Sequence, residues 1–345
     1  MRFSLVCGRT SRVFFSGIGG CILATVLLAA DPPAKPNPAA QRGDPSSDTG
    51  AIAATVGGKP IFVRQVDQLE AAAAHGRTLS EGSAERVKAA VLLELVDRQL
   101  VEEYLEKNHW GATPEEIDAE LAHLKSELEH AKKTLPEFLA RSHQSEAMLR
   151  AELGWRLSWQ KYLKQQVTDE TLEAYFNAHH REFDGTELRV SHILLRPTVA
   201  GDDSAVASLV KEAEQIRKQI ESGEITFEAA AEKYSAGPSR HRGGDLGFIP
   251  RHGQMVEPFA RTAFALEKGQ ISQPVATVFG IHLIRVTDVK PGDKKWTDVR
   301  DAVRTALAEH LFGQLVARER GTVDVRFTGK APYFKPGTTE VVVPK

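Results

Sequence analysis

Cysteine is nearly absent from this sequence. Of the 345 residues, two are cysteine, Cys7 and Cys21, and both lie in the amino-terminal segment. If that segment is removed on export, the remaining chain has no thiol, which excludes disulfide bonds, a cysteine nucleophile and thiolate metal ligands. The sequence therefore predicts an exported protein without cysteine chemistry.

A large charge of one sign is also lacking. Charged residues make up 26% of the chain and the formal net charge is −2, so the charge balance does not favour nucleic acid as a partner. Hydrophobic residues at 41% and aromatic residues at 7% are typical of a soluble globular protein. A chain of this length has room for two or three domains, each with its own core.

A long uncharged run lies near the amino terminus, at Val13–Ala30, and it follows three arginines, Arg2, Arg9 and Arg12. A basic start, an apolar stretch and small residues at its end predict a signal peptide over residues 1–30. The protein is then periplasmic or otherwise extracytoplasmic. Two alternatives stay open: the run is retained as a membrane anchor, or "IGGC" at Ile18–Cys21 is a lipoprotein processing site.

The next residues change from a linker to helices. Residues 31–50 are rich in Pro, Ser, Gly and Asp, which predicts a flexible linker. Apolar residues then recur at three- and four-residue spacing over 83–105, as in an amphipathic helix. "TPEE" at Thr113–Glu116 is a helix start, with a Thr cap, a Pro at the first position and a Glu in the capping-box place. We predict a mainly helical domain over residues 51–183.

A second, α+β domain is predicted over residues 187–288. "ELRVSHILLR" at Glu187–Arg196 is rich in β-formers, and helices, a Gly-rich bend and a final strand follow it. Residues 291–345 then contain a helix from Thr297 to Arg318 with an apolar residue every fourth position, and strand-like pieces. Because a lone helix with an apolar stripe needs a covering partner, we predict that the α+β domain is inserted into the helical one.

The Gly-rich bend at Gly243–Phe259, "GGDLGFIPRHGQMVEPF", is open to several chemical interpretations. It lacks the Lys and Ser/Thr of a phosphate-binding loop. A Ser191–His192 nucleophile pair fails because adjacent strand residues point to opposite faces. The histidines elsewhere do not have zinc-ligand spacing. No metal or cofactor is therefore expected.

His192 and His282 each lie in the middle of an otherwise apolar strand. A buried histidine costs free energy unless its nitrogens find partners. If the two strands are neighbours, the imidazoles can bond each other or a nearby hydroxyl. The alternative, two histidines that are buried and satisfied independently, stays open at this point.

Four motifs in order carry a resemblance to a known family: "VSHILL", "FEAAAEKYS", "GGDLGFIPRHGQMVEPFARTAFALEKGQISQPV" and "TVFGIHLIRV". Over residues 187–288 they resemble the parvulin family of peptidyl-prolyl isomerases. The helical block, with "VGGKPIFVRQVDQL" and "TDETLEAYF", resembles the chaperone region of SurA- and PrsA-type exported foldases. The resemblance implies an α+β fold in which an antiparallel sheet flanked by helices is inserted in a helical chaperone domain.

The resemblance also implies site residues. His192, His282 and Thr277 would form a catalytic hydrogen-bond network beneath a shallow pocket for the proline ring. The pocket would be lined by Leu246, Met255, Phe259 and Phe279. The expected function is a foldase that binds unfolded or nascent exported polypeptides and isomerises X-Pro bonds in their Pro-containing segments. A membrane would be contacted only through an uncleaved amino-terminal segment.

The sequence departs from the family at Gly237, where the loop after "YS" usually carries an Asp or Cys that faces the histidines. Without that group the network loses a partner, and glycine adds backbone freedom. We therefore expect an isomerase whose activity is weak. The alternative function is a non-catalytic periplasmic chaperone whose degenerate parvulin domain binds Pro-containing segments.

Overall fold

A computed structural model describes residues 50–73, 81–142, 144–196, 203–338 and 340–344. The predicted signal peptide and all of the predicted linker except Gly50 lie outside the described residues. Within the described ranges, every helix is too short or too polar to cross a bilayer. The fold is mixed α+β with antiparallel sheets, which confirms the predicted class.

The helices and strands are as follows. The helices are α1 Val63–Ala73, α2 Glu81–Lys107, α3 Pro114–His130, α4 Leu135–Ser142, α5 Glu146–Gln166, α6 Asp169–Ala178, α7 His180–Phe183, α8 Asp203–Glu221, α9 Phe227–Tyr234, α10 Glu257–Phe264 and α11 Arg300–Glu319. The strands are β1 Ile52–Val56, β2 Lys59–Phe62, β3 Glu187–Leu195, β4 Asp245–Pro250, β5 Val275–Thr277, β6 Gly280–Lys290, β7 Val325–Phe327, β8 Tyr333–Phe334 and β9 Val341–Val342. Short 3₁₀ turns lie at Arg240–Arg242 and Trp296–Val299.

The chain divides into two compact units. The first contains residues 1–168 and 307–345, and the second contains residues 169–306. Helices α6 and α7 therefore group with the second unit, whereas the sequence pattern placed them in the helical block. The reason is local: α6 contacts the Trp296–Val299 turn, and Arg300 forms an ion pair with Asp169 at the start of α6.

The sheet of the first unit joins distant parts of the chain. Strand β1 lies between β2 and β7, and both pairings are antiparallel. The β1–β2 turn is Gly57-Gly58, with φ of 57° and 85°, which suits the tight turn of a two-residue hairpin. Strand β7 supplies the other neighbour, with Thr55 opposite Arg326.

The core of the first unit is rich in aromatic rings. Trp159 is 1% exposed and stacks on Trp155 at a ring-centroid distance of 5.9 Å. Phe312, from α11, meets Trp159 edge to face at 5.8 Å. The apolar stripe of α11 is thus covered by helices from the earlier part of the chain, as a lone amphipathic helix requires.

Helices α3 and α5 start where their capping signals lie. The Thr113 hydroxyl accepts from the Glu116 N–H and the Glu116 carboxylate accepts from the Thr113 N–H, a complete capping box. Ser145 caps α5 in the same way through the Met148 N–H. The two helices pack through a small apolar core that includes Leu121 and Leu153.

The second unit is built on a four-stranded antiparallel sheet in the order β4-β3-β6-β5. One face packs on α8 and α9 through a cluster that includes Ile193 and Leu283. The other face packs on α10 through a cluster that includes Val190, Ile284 and Phe259. Strands β3 and β6 are the two central strands, so their side chains are buried on both faces.

Candidate active site

His192 and His282 are brought together on the central strands. His282 lies opposite Leu194 in the β3–β6 register, so the two histidines are diagonal neighbours. Their Nδ1 atoms are 3.2 Å apart, and the rings stack at a centroid distance of 5.4 Å. They are 6% and 4% exposed. The structure therefore favours the paired arrangement over two histidines that are satisfied independently.

Thr277 closes one end of this pair. Its Oγ1 lies 2.8 Å from His282 Nε2, accepts from the Phe279 N–H at 3.0 Å and donates to the Gly280 carbonyl at 3.4 Å. Because the Thr277 hydroxyl donates its proton to the Gly280 carbonyl, Thr277 Oγ1 accepts a hydrogen bond from His282 Nε2. The other nitrogen of that ring, His282 Nδ1, then has no hydrogen and accepts from His192 Nδ1. We assign this direction because the reverse would leave a buried N–H at His192 Nε2, which proteins tolerate less well than an unpaired acceptor.

Burial keeps both imidazoles neutral. It lowers the pKa of His192 to about 4. It also lowers the pKa of His282 to about 4, with smaller contributions from His192 and Arg196. Both rings are therefore uncharged at neutral pH, and a chain of neutral hydrogen bonds runs from His192 through His282 to Thr277.

Phe259 contacts both histidines and belongs to an apolar cluster beside them. Its ring meets His282 edge to face at 5.3 Å and His192 at 5.9 Å, and it is 2% exposed. Leu246 and Met255, both half-buried, pack against the same cluster. Three of the four predicted pocket residues thus lie in one apolar cluster, and Phe259 joins that cluster to the histidine pair.

Phe279, the fourth predicted pocket residue, lies in the β5–β6 turn and is 54% exposed. Its backbone is tied to the site through Thr277, but its ring does not belong to the buried cluster around Phe259. Of the predicted residues, Phe279 is therefore the one that the structure leaves at the edge of the site.

Gly237 lies directly against His192. A Cβ built on Gly237 would be 3.0 Å from His192 Nε2 and 3.2 Å from Ser235 Oγ. His192 Nε2 is buried and has no hydrogen-bond partner among the described residues. Because Gly237 has no side chain, the loop backbone packs closely against His192 Nε2. A longer side chain at this position would contact that nitrogen.

The paired glycines of the bend have a related use. Gly244 has φ of 80°, and a Cβ there would be 2.3 Å from the His192 carbonyl oxygen, so only glycine fits this approach. Its carbonyl accepts from the His192 N–H at 3.0 Å. Asp245 is occupied by Arg189 at 2.8 Å and by the Gly247 N–H at 3.0 Å, and so does not replace the missing partner of His192.

Arg251 was not predicted from the sequence. It is 8% exposed and bridges two carboxylates, Glu182 at 3.1 Å and Glu257 through two bonds of 2.8 and 2.7 Å. These bonds hold the segment that carries Met255 onto the start of α10, which carries Phe259. The sequence does contain a sign of this bridge: Arg251 lies in the apolar part of the bend, six positions before Glu257 at the start of α10.

Metal-ligand geometry is not found in the described part of the chain, where no three His, Cys, Asp or Glu side chains are grouped as a metal would require. The site is instead a neutral, largely buried imidazole pair beneath apolar side chains. Such a surface can bind an apolar ring and withhold water from an adjacent amide.

Comparison with known proteins identifies this arrangement. The rotamase family, described as the PPIC-type PPIASE domain, matches residues 192–288. A probable parvulin-type peptidyl-prolyl cis-trans isomerase of Bordetella bronchiseptica is 31% identical over 268 residues, which cover 76% of this chain and 86% of the relative. The chain belongs to the parvulin-type peptidyl-prolyl cis-trans isomerases. The predicted family and enzyme class are thereby confirmed.

The parvulin relatives include foldases. The foldase protein PrsA of Bacillus subtilis is 29% identical over 221 residues, 64% of this chain and 67% of that protein. A crystal structure of the peptidylprolyl isomerase PrsA from Bacillus anthracis covers 67% of this chain and 95% of its own, with 26% identity and a TM-score of 0.35. The sequence similarity to the curated relatives therefore extends over more of the chain than residues 192–288.

Proposed function

We propose that this parvulin is an exported foldase that binds unfolded polypeptides and isomerises their X-Pro bonds. The observation that carries the proposal is the pair of neutral, stacked histidines beneath Phe259, closed by Thr277, within a domain of the parvulin family. Relatives over most of the chain are named as foldases or isomerases.

The reaction needs little chemistry from the protein. Rotation about an X-Pro bond breaks amide resonance against a barrier of about 18–20 kcal/mol, and no covalent bond is made or lost. The twisted amide has less charge separation than the planar one. A site that holds the proline ring on an apolar surface and removes water from the carbonyl therefore favours the twisted form, which is catalysis by differential binding.

The residues divide into two groups in this mechanism. Phe259, Met255 and Leu246 hold the proline ring, with Phe279 as an aromatic edge. His192, His282 and Thr277 form the base of the site, where their directional hydrogen bonds fix the surface on which the amide turns. Because both imidazoles are neutral, they offer the amide a dipolar surface without a charge that would stabilise its planar, more polar form.

The remaining chain has a supporting role. The helical domain over residues 51–183, completed by residues 291–345, holds unfolded client chains while the parvulin domain over 187–288 acts on their Pro-containing segments. Residues 1–30 direct export and residues 31–50 link them to the fold. The protein then works in the periplasm or another extracytoplasmic compartment.

Exchange spectroscopy on a short X-Pro peptide tests the proposal, with the full chain as catalyst. The wild-type protein is expected to accelerate cis/trans exchange, and His282→Leu to reduce that acceleration. A client-aggregation assay with the same samples tests the chaperone role separately.

The alternative function, a chaperone with a catalytically inactive parvulin domain, is favoured by one observation. Within the described part of the chain His192 Nε2 lacks a partner, and Gly237 stands where the family usually has one. Peptide binding and suppressed aggregation without accelerated exchange would establish that alternative. If the protein neither binds the peptide nor suppresses aggregation, both functions are wrong.

A further inference from the structure

The turn between β5 and β6 is unusually apolar. Thr277 pairs with Gly280, so Val278 and Phe279 form a two-residue turn. Val278 is 88% exposed and Phe279 is 54% exposed. Tight hairpin turns favour Asn, Asp and Gly, because these residues suit the backbone and the solvent. Neither turn geometry nor packing explains two large apolar side chains here.

The turn is held firmly beside the histidine pair. The Phe279 N–H donates to Thr277 Oγ1, the same oxygen that lies 2.8 Å from His282 Nε2. Gly280 has φ of 135°, and a Cβ there would be 2.2 Å from the Leu195 carbonyl oxygen. The start of β6 is therefore packed directly on the end of β3, and the turn has a fixed place next to the site.

Other exposed apolar side chains of this unit lie elsewhere. Within residues 169–196 and 208–306, the exposed large apolar residues are Phe248, Val278 and Phe279. Phe248 lies opposite Arg189 in the β3–β4 register, whereas the neighbouring pair, Leu188 and Ile249, faces the α10 cluster. Phe248 is thus on the face of the sheet away from the histidines, and the exposed pair at the turn adjoins them.

We infer that Val278 and Phe279 contact the residue next to the proline in a bound client and make the site prefer a large apolar residue there. The inference rests on the proposed function and specifies its substrate class. Apolar side chains that are rigidly presented at the edge of a proline site lose their contact with water when an apolar neighbour of the proline lies on them. A charged neighbour would instead lose hydration without a partner.

Two peptide pairs test the inference with the full chain. One pair has Leu or Ala before the proline, and the other has Leu or Ala after it. The wild-type protein is expected to prefer Leu by about fivefold in kcat/KM in at least one pair, as partial burial of a Leu side chain on an open surface allows. Val278→Asn keeps a residue that suits the turn, and it is expected to bring that ratio close to one.

Matched variants keep the result specific. Phe248→Ser removes an exposed apolar side chain from the other face of the sheet and is expected to leave the ratio and both rates unchanged. Val278→Leu keeps an apolar tip and is expected to retain the preference. A ratio that is unchanged in Val278→Asn, or that falls equally in Phe248→Ser, overturns the inference.

Two further outcomes separate this inference from the proposed function. If the wild-type protein does not accelerate exchange, the ratio of its affinities for the Leu and Ala peptides is measured by NMR titration instead. If the protein neither accelerates exchange nor binds the peptides, the inference and the proposed function are both wrong. If sedimentation velocity shows that the wild-type protein is a dimer and Val278→Asn is a monomer, the turn is covered by a second copy of the chain and the inference is wrong.

Discussion

In the first unit, the largest buried ring is Trp159, stacked on Trp155 among rings from α5 and α11, whereas in the second unit the buried rings at the centre are His192 and His282. Each set contains one buried ring nitrogen without a partner in the described structure, Trp159 Nε1 and His192 Nε2. The indole N–H cannot change its charge in the working range of pH, so its cost is a fixed loss of stability. The imidazole can gain a proton, so its cost depends on pH.

This difference shows what each unit uses its buried rings for. The aromatic core of the first unit provides apolar area that stabilises a helical scaffold. The buried histidine pair stabilises the second unit less than apolar rings would, because its polar atoms are removed from water. It places those polar atoms beneath an apolar surface. Changes in the first unit should therefore alter stability without altering catalysis, and changes in the second should alter both.

The largest expected effect is on the stability of the first unit. Phe312→Ala removes a ring that contacts both Trp155 and Trp159, and it should lower the free energy of unfolding by about 3–5 kcal/mol. Urea unfolding followed by tryptophan fluorescence measures this, since three of the four tryptophans lie in this unit. Isomerase kcat/KM at low urea should stay within about twofold; a larger fall would mean that the two sets of rings are not independent.

The second effect is a loss of stability in acid. The folded pKa of each histidine is lowered to about 4 from an ordinary value of 6.5, so the unfolded chain binds more protons below pH 6.5. The stabilising contribution of the neutral rings is therefore present above pH 6.5 and is lost as the pH falls towards 4, by about 2 kcal/mol per histidine between pH 7 and 4.5.

Thermal unfolding at several pH values measures this loss. The double variant His192→Leu, His282→Leu should have a flatter stability profile between pH 7 and 4.5 than the wild-type protein. If stability falls with pH equally in the two proteins, other groups cause the acid sensitivity. The proposed difference between the buried rings of the two units would then be wrong.

A smaller effect is expected from Thr277→Val. The valine has a similar shape but cannot accept the hydrogen of His282 Nε2, so a buried donor is left unpaired, at a cost of about 1–3 kcal/mol. We expect this loss in thermal stability together with a fall of about tenfold in kcat/KM. Thr287→Val is the control, because Thr287 is half-buried on the same strand as His282 and its hydroxyl bonds the Arg189 carbonyl instead of a histidine. A fall in stability without a fall in turnover would limit Thr277 to a structural role.

The smallest effect is expected at Gly237. In Gly237→Asp a carboxylate can reach His192 Nε2, but the new Cβ requires a shift of a few tenths of an ångström. Turnover should rise severalfold and the pKa of His192 should rise, which an NMR titration of the ring detects. Gly237→Ala introduces the same crowding without an acceptor and should show neither change. If Gly237→Asp leaves turnover unchanged, Gly237 does not limit the activity of this chain.

Sequence reasoning recovered the features that depend on local pattern. The capping box at Thr113 and the bend after Gly243 are specified by residues that are close together in sequence. The pairing of His192 with His282 could be expected because both interrupt apolar strands. Their direct contact was not given by spacing, since it depends on the β3–β6 register.

Other features depend on contacts between distant residues. Helices α6 and α7 continue the helical pattern before them, and only their contacts with residues near Trp296 assign them to the second unit. The Arg251 bridge joins Glu182 and Glu257 across 69 and 6 positions of sequence. The exposure of Val278 could not be predicted either, because the sequence shows only that an apolar residue lies between two strands.

The pairing of β1 with β7 has a consequence for how the chain acquires its structure. Strand β1 begins at Ile52, and its neighbour β7 ends at Phe327, so the sheet of the first unit cannot be completed until the chain has been made as far as residue 327. The second unit is continuous in sequence, from residue 169 to 306, and can form earlier. Once formed, it shortens the loop that must close between β1 and β7 and lowers the entropy cost of that closure. A chain that assists the folding of others is thus arranged to fold from its middle outwards.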